Sequence, residues 1–215
     1  MDIECYTGGF FQTNGYLLQG TDSNILIDAP QGIAAWLSGK GVKVDELLLT
    51  HLHHDHVIDA AAIKREQPGC VIRSHSAYDD DLSLASLLRH SIGGLADLED
   101  FDSDELLEGK SEIKAAGFDF TLKHVPGHSL DSLCFYLAGE NDSNPGAPIL
   151  FGGDVLFNGG IGRTDFPNGS TEMLLNGIRE KVLTLPGNTI VYPGHGPKTT
   201  VSDEAESNPF LSGNL

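Results

Sequence analysis

Positive charge is scarce in this 215-residue chain: 13 Lys and Arg stand against 31 Asp and Glu, a formal net charge of −18. Negative charge on that scale repels phosphate backbones and anionic lipid, so neither nucleic acid nor a membrane surface is an expected partner. Cysteine is scarce as well. Cys5, Cys70 and Cys134 are scattered, odd in number and without a C-x-x-C spacing. That argues against a disulfide framework and for a reducing compartment. Cys134 lies in an apolar run and reads as a small core residue. No uninterrupted apolar stretch approaches membrane-spanning length. The opening "MDIECYTGGF" lacks the basic segment and apolar run of a secretory signal. The expectation is therefore a cytoplasmic protein. No linker rich in Pro or Ser and no short repeat interrupts the chain, and its hydrophobic share of 40% is ordinary for a globular protein. A single domain over residues 1–215 is expected. A G-x-S-x-G elbow is also missing, which removes one route to a serine nucleophile.

What is present is an alternation of short apolar runs with helix-compatible stretches. Tyr16–Leu18, Asn24–Asp28, Val44–Thr50 and Val71–Ser74 read as strands. Helices are expected over about Gly32–Gly39 and Asp59–Arg65. Tyr78–His90 reads as a helix on the spacing of Leu82, Ala85 and Leu88, and acidic Ile92–Glu112 as a surface insertion. Later strands are expected at Phe118–Val125, Ser132–Leu137, Ile149–Gly152 and Thr189–Tyr192, with a helix over Thr171–Leu183 and a loop at "ENDSNPGAP". The pattern suggests αβ units around a sheet.

Three apolar runs end in a His or Asp beside a glycine turn, which places polar groups at strand ends, where open sheets hold their sites. The sharpest cluster is "THLHHDH", residues 50–56, which holds four of the nine histidines. In an extended segment His51 and His53 point the same way, because side chains alternate with a period of two. They can grip one ion together, while Asp55 and His56, at the turn into the next helix, can reach a second. His54, between ligands, is expected to point away. This cluster cannot fill two coordination shells alone. His128 in "VPGHS", Asp154 in "FGGDV" and His195 in "YPGHG" each follow an apolar strand and supply the rest. A carboxylate can touch two cations at once, so Asp154 is the natural bridge. The division is then His51, His53 and His128 on one ion and Asp55, His56 and His195 on the other. Imidazole and carboxylate suit zinc, with iron or manganese as alternatives. His75, His90 and His124 show no partner pattern, although His124 lies close enough to His128 to support it.

Two close divalent cations lower the pKa of a shared water, giving a hydroxide nucleophile flanked by Asp55 and Asp154. One cation polarises a carbonyl oxygen and the other steadies a leaving group. Five neutral His and two carboxylates leave such a site positive, so a mildly anionic substrate is admissible. Arg163 in "GIGRTDF" is the candidate substrate-binding cation. The other reading of it is a pair with Asp165 that holds the loop.

"HLHHDH", "PGHS", "GGDVLF", "GRTDFP" and "YPGHG" resemble the metallo-β-lactamase superfamily, and within it the single-domain glyoxalase II-like hydrolases. The resemblance runs from "TNGYLL" (Thr13 to Leu18) to "NPFL" (Asn208 to Leu211). It implies an α/β fold, the four-layer αββα sandwich, and the same seven ligands in the same division. It implies a thioesterase acting on S-lactoylglutathione or a related small acyl thioester. A mononuclear-iron persulfide dioxygenase of the same superfamily is the alternative. Two departures stand out. The residues after His195 carry Asp203, Glu204 and Glu206 against Lys198 alone, so a basic clamp for glutathione is expected to be missing or built elsewhere. "PGHSLDS" has Leu130 and Asp131 where many relatives have Pro-Gly, so a changed loop without loss of a ligand is expected there.

Overall fold

The structure, a computed structural model, describes residues 1–84, 98–139 and 146–211. The chain forms two compact units, Met1–Gly109 and Lys110–Leu215. Each is built on a mixed sheet with helices.

In the first unit, β1 (Asp2–Gly8) and β2 (Thr13–Gln19) form a hairpin paired from Asp2↔Gln19 to Gly8↔Thr13. β3 (Asn24–Ile27) continues it antiparallel. β4 (Glu46–Leu48), β5 (Val71–Ser74) and β6 (Glu105–Leu106) then add in parallel, giving the order β1-β2-β3-β4-β5-β6. Parallel neighbours need crossovers. α1 (Ile33–Lys40) supplies the first; the one-turn α2 (His54–Val57) and α3 (Ala60–Glu66) supply the second. α1 buries Ile33, Ala34 and Leu37, the spacing of one helical face, and α3 buries Ala60, Ala61 and Ile63. These pack with Leu17, Leu26, Leu47 and Ile72 from the strands into one core. The first turn of α1 has no side-chain cap of its own. Asp59 caps it from a distance, accepting from the amides of Gly32 (2.9 Å) and Ala34 (3.0 Å).

Two expectations in this unit fail. A continuous helix over Tyr78–His90 is not formed: α4 spans only Asp80–Ser83, and Leu84 turns left-handed at φ 56° directly after it. Ala85, Leu88 and His90 lie outside the described residues. Acidic 92–112 is not merely a surface insertion either, for its residues from 98 on are described. Leu98 and Phe101 enter the core, and β6 closes the sheet beside β5. Asp104 anchors this return: its carboxylate accepts from the Ile72 amide at 2.8 Å and from Lys64 Nζ at 2.7 and 2.9 Å.

In the second unit the order is β14-β13-β10-β9-β8-β7. These strands are β7 (Glu112–Ala115), β8 (Phe118–His124), β9 (Leu133–Leu137), β10 (Ile149–Gly153), β13 (Ile190–Pro193) and β14 (Thr199–Thr200). Only β10 and β13 pair in parallel. A separate hairpin joins β11 (Leu156–Phe157) to β12 (Gly160–Ile161). The helix expected over Thr171–Leu183 is α5 (Thr171–Gly177) running into a π-helical turn at Ile178–Val182. Ser170 caps it, accepting from the Met173 amide at 3.3 Å. α6 (Val201–Ser207) follows β14 and had no counterpart among the expected elements. Val125, Cys134, Leu150, Leu174, Ile178 and Val191 form this unit's core. No helix among the described residues is long and apolar enough to cross a membrane.

Burial pushes the Asp104 carboxyl up, but Lys64 and the Ile72 amide outweigh it and hold it below the ordinary value. A depressed folded pKa contributes stability above the unfolded value and loses it as pH falls through the folded one. Both partners are partly open to solvent, so screening discounts the pair, and Asp104→Asn is expected to lower the thermal midpoint near neutral pH by about 1–2 °C, less than about 1 kcal/mol. In melts at decreasing pH, the gap from the parent should close below the ordinary carboxylate range. A gap independent of pH would show that the charge does not matter there.

Candidate metal centre

Parallel pairing sets where the polar residues stand. In the first unit Ile27 is paired with Leu48, so the chains leaving β3 and β4 emerge side by side. Asp28 is the residue after β3, and Thr50-His51 follows β4. Asp28 holds a left-handed conformation at φ 60°, tolerable for Asp though uncommon outside glycine. Its buried carboxylate accepts from the Thr50 amide and the Thr50 hydroxyl, both at 2.8 Å. It also meets His56 Nδ1 at 2.8 Å.

These bonds decide tautomers. A carboxylate only accepts, so His56 carries its proton on Nδ1 and directs the Nε2 lone pair outward. The Thr50 hydroxyl gives its proton to Asp28 and so accepts from His51 Nδ1, 3.1 Å away. His51 thereby also directs Nε2 outward. His51 and His53 stand edge to face with ring centroids 4.6 Å apart, as the two-residue period requires. The helical turn α2 then swings Asp55 and His56 in, with the His51 and His56 rings 4.1 Å apart and Asp55 Oδ2 3.7 Å from His56 Nε2. Thr13, the first residue of β2, donates its hydroxyl to Asp55 Oδ2 at 2.6 Å and fixes that carboxylate. His54 is buried.

The second unit repeats the plan with different partners. Phe151 is paired with Tyr192 and Gly153 with Pro193, so Asp154 and His195 leave adjacent parallel strands. His128 follows β8 in a tight loop. Gly127 there, at φ 137°, lies so close to α5 that a Cβ would come within 2.5 Å of the Leu174 amide. His128 Nδ1 donates to the Arg163 carbonyl at 2.7 Å, which again leaves Nε2 as the lone-pair nitrogen. Asp154 Oδ2 lies 3.4 Å from both His128 Nε2 and His195 Nε2. Donors about 2.1 Å from one tetrahedral ion stand roughly 3.4 Å apart, so this spacing suits shared ligation. Neutral imidazoles with Nδ1 occupied, plus carboxylates, are a donor set for divalent first-row metals.

Arg163 makes a bidentate pair with Asp165 at 2.7 Å in both arms and stacks 4.2 Å from the Phe166 ring. Hydrogen bonding to Arg163 holds the Asp165 carboxyl down to about 2, so the pair persists across neutral pH. His124, which had no obvious partner in the sequence, donates from Nε2 to the Leu130 carbonyl at 2.8 Å and closes the loop that carries His128. That loop is the one expected to depart from relatives, and Asp131 in it is buried and takes the Ser129 hydroxyl. His75 bonds the Ser76 hydroxyl at 2.8 Å. Burial pushes the thiols of Cys70 to about 11 and Cys134 to about 12, so neither is a thiolate at neutral pH. Sequence reasoning missed Asp28, Thr50 and Thr13 as supports. A signal for Asp28 was available: an Asp directly after an apolar strand, one crossover before the histidine cluster.

A sequence profile of the metallo-beta-lactamase superfamily matches residues 8–195, reaching every candidate ligand. The chain belongs to the metallo-β-lactamase superfamily. It is 37% identical over 217 residues to hydroxyacylglutathione hydrolase GloC of Haemophilus influenzae, covering 99% of each. Its fold is similar to the crystal structure of BLEG-1, a B3 metallo-β-lactamase, with a TM-score of 0.85 and 32% identity over 99% of this chain and 100% of that one. It is also similar to TTHA1623 in a di-iron-bound form, with a TM-score of 0.77 and 31% identity over 97% of this chain and 100% of that one. The architecture is thus the α/β, αββα fold of this superfamily, and the chain is a metallo-hydrolase-type enzyme. Its His and Asp clusters are those of a dinuclear metal-binding site of the superfamily's kind.

Asparagine tolerates the left-handed conformation of residue 28 but lacks the charge that His56 faces. Asp28→Asn should fold, and should weaken zinc affinity about 10- to 100-fold, as loss of a carboxylate behind a ligating imidazole does. Competition with a chelator of known affinity measures this. Wild-type affinity in the folded variant would mean that Asp28 serves the fold alone.

Proposed function

We propose that this enzyme hydrolyses small acyl thioesters of the S-lactoylglutathione type at two divalent metal ions, zinc or else iron or manganese. One ion is held by His51, His53 and His128, the other by Asp55, His56 and His195, with Asp154 shared. The candidate ligand groups support this division: His51, His53 and His128; His51, His56 and Asp154; and Asp55, His56 and His195. The observation that carries the reading is the carboxylate oxygen of Asp154, equidistant at 3.4 Å from two imidazole nitrogens that belong to different ions in the division. The likeness to a hydroxyacylglutathione hydrolase over nearly the whole chain supports the substrate class.

Bound in this way, two cations supply an activated water and a Lewis acid for the thioester carbonyl. The residues of the chain do the rest. Asp28, Thr50 and the Arg163 carbonyl occupy Nδ1 of His56, His51 and His128 and so fix which way each ring turns its Nε2. Thr13 turns Asp55, and Asp55 and Asp154 are the two carboxylates that would help hold the ions and the water they activate. A thiolate is a good leaving group, so no protonated side chain is required to expel it. Arg163, exposed beside the carbonyl that holds His128, is the cation proposed to meet the glutathione carboxylates by exchanging Asp165 for them.

Asp154→Ala should lower thioesterase turnover at least about a hundredfold, because the water loses its shared carboxylate. His54→Ala should change it by less than about tenfold. Steady-state rates on S-lactoylglutathione with folded, metal-loaded protein test both, and equal impairment would refute the division of ligands. Oxygen uptake with glutathione persulfide, brisk on iron-loaded protein that turns over no thioester, would transfer the enzyme to the dioxygenase class and leave the ligands standing.

If the Arg163 guanidinium receives substrate, Arg163→Ala should raise KM several-fold and leave kcat nearly unchanged, the mark of lost uniform binding. If it serves Asp165 alone, the thermal midpoint falls and KM stays. Kinetics and a melt on the same preparation separate the two.

A further inference from the structure

Glu204 is a carboxylate buried in α6, outside the ligand set and far along the chain from most of it. Every partner it shows belongs to one small assembly. Its oxygens accept from the Thr199 hydroxyl at 2.6 Å, from the Gly159 amide at 3.0 and 3.2 Å, and from Asn208 Nδ2 at 2.7 Å. Asn208, fully buried and one helical turn on, also donates to the Gly160 carbonyl at 3.0 Å. Gly159 lies in the turn of the β11–β12 hairpin at φ 71°, and Gly160 opens β12 beside it. Glu204 and Asn208 thus grip both an N–H and a C=O at that end of the hairpin.

The hairpin leads from this grip to all three ligands of its unit. Its entrance is Asp154, two residues before β11. Its base is closed so tightly that a Cβ on Gly162 would lie 1.9 Å from the Asp154 carbonyl oxygen. Phe157 in β11 stands edge-on to the His195 ring, centroids 6.1 Å apart. Arg163, the residue leaving the base, offers its carbonyl to His128. One two-stranded hairpin therefore touches Asp154, His195 and the support of His128, and among the described residues its far end is hydrogen-bonded to Glu204 of α6 and to Asn208 just after it.

We propose that Glu204 and Asn208 are positioning residues of the metal centre, acting through the β11–β12 hairpin. This rests on the assignment of His128, Asp154 and His195 as metal ligands, and not on the thioester substrate. The acidic segment after His195 is then part of the machinery that aims the ligands. Glu204→Gln replaces one acceptor oxygen by an NH2 that faces donors already present, and Asn208→Ala removes the bond to Gly160.

The test is zinc loss from loaded protein into excess chromogenic chelator, with unfolding midpoints of the metal-free proteins. Both variants should lose zinc about tenfold faster or more, as when an outer support of a ligand is removed. Their metal-free midpoints should fall, since buried hydrogen bonds are lost. Val201→Ala, which thins the core of the same unit, is the control: with a comparable fall in midpoint it should not speed zinc loss. Glu206→Gln, an exposed acid on the same helix, should behave as wild type. Zinc loss at the wild-type rate from folded Glu204→Gln overturns the proposal; should that variant not fold, the same result from Asn208→Ala does so. Equally fast loss from Val201→Ala at a comparable fall in midpoint also overturns it, since destabilisation would then suffice. A wild-type protein that retains zinc but leaves S-lactoylglutathione intact sinks the substrate reading and leaves this one untouched.

Discussion

The carboxylate of Asp28 is the hinge of the first unit. It is buried, charged and held in a left-handed backbone, each of which costs free energy, on the order of 1–3 kcal/mol for the backbone alone. Those costs are offset only while three donors reach it: the Thr50 amide, the Thr50 hydroxyl and His56 Nδ1. A buried carboxylate stripped of its donors is strongly destabilising. The parallel register of β3 and β4 and the orientation of two candidate ligands therefore stand or fall together. The bonds that tie Asp28 to Thr50 and His56 thus also set how His51 and His56 are turned.

The second unit solves the same problem with a neutral support. His128 leans on a backbone carbonyl and not on a carboxylate. A carboxylate behind an imidazole raises the basicity of the ligating nitrogen more than a carbonyl does. A carbonyl, in turn, can be aimed only by aiming the backbone that bears it. That explains why so much polar structure, from His124 across the loop to Glu204 and Asn208 at the hairpin, converges on the segments on either side of His128 and Arg163.

The ligand types were legible from spacing, because coordination chemistry leaves few reasons for four such side chains in six residues. The strand ends were legible because apolar runs stop abruptly at glycine turns, and β5 matches its expected span of Val71–Ser74 in full. The supports were harder to see. Thr13, Asp28 and Glu204 act through contacts 42, 28 and 45 residues away in sequence, and a lone Thr, Asp or Glu has too many ordinary uses to be singled out. The helix over Tyr78–His90 failed because the spacing of Leu82 and Leu88 says nothing of the left-handed turn at Leu84. The stretch 92–112 was misread because its acidity outweighed its apolar punctuation. Leu98, Phe101 and Leu107 are buried there, and Asp104 is acidic in the service of the Lys64 ammonium and the Ile72 amide.

A net charge of −18 does not by itself bar the anionic thioester proposed above. A field from scattered carboxylates decays over a Debye length of about 8 Å in physiological salt. A polyanion such as RNA spans many such lengths and meets the whole acidic surface at once. A small acyl thioester meets only the few groups nearest the ligand clusters. There the count differs: five neutral imidazoles and two carboxylates, Asp55 and Asp154, would fall short of balancing two divalent ions. Surface repulsion is thus spread out and screened, whereas the attraction is local and partly shielded from water, since His51, His56 and His128 are all buried. A composition that would repel an extended phosphate chain is thus compatible with the small carboxylate-bearing substrate proposed.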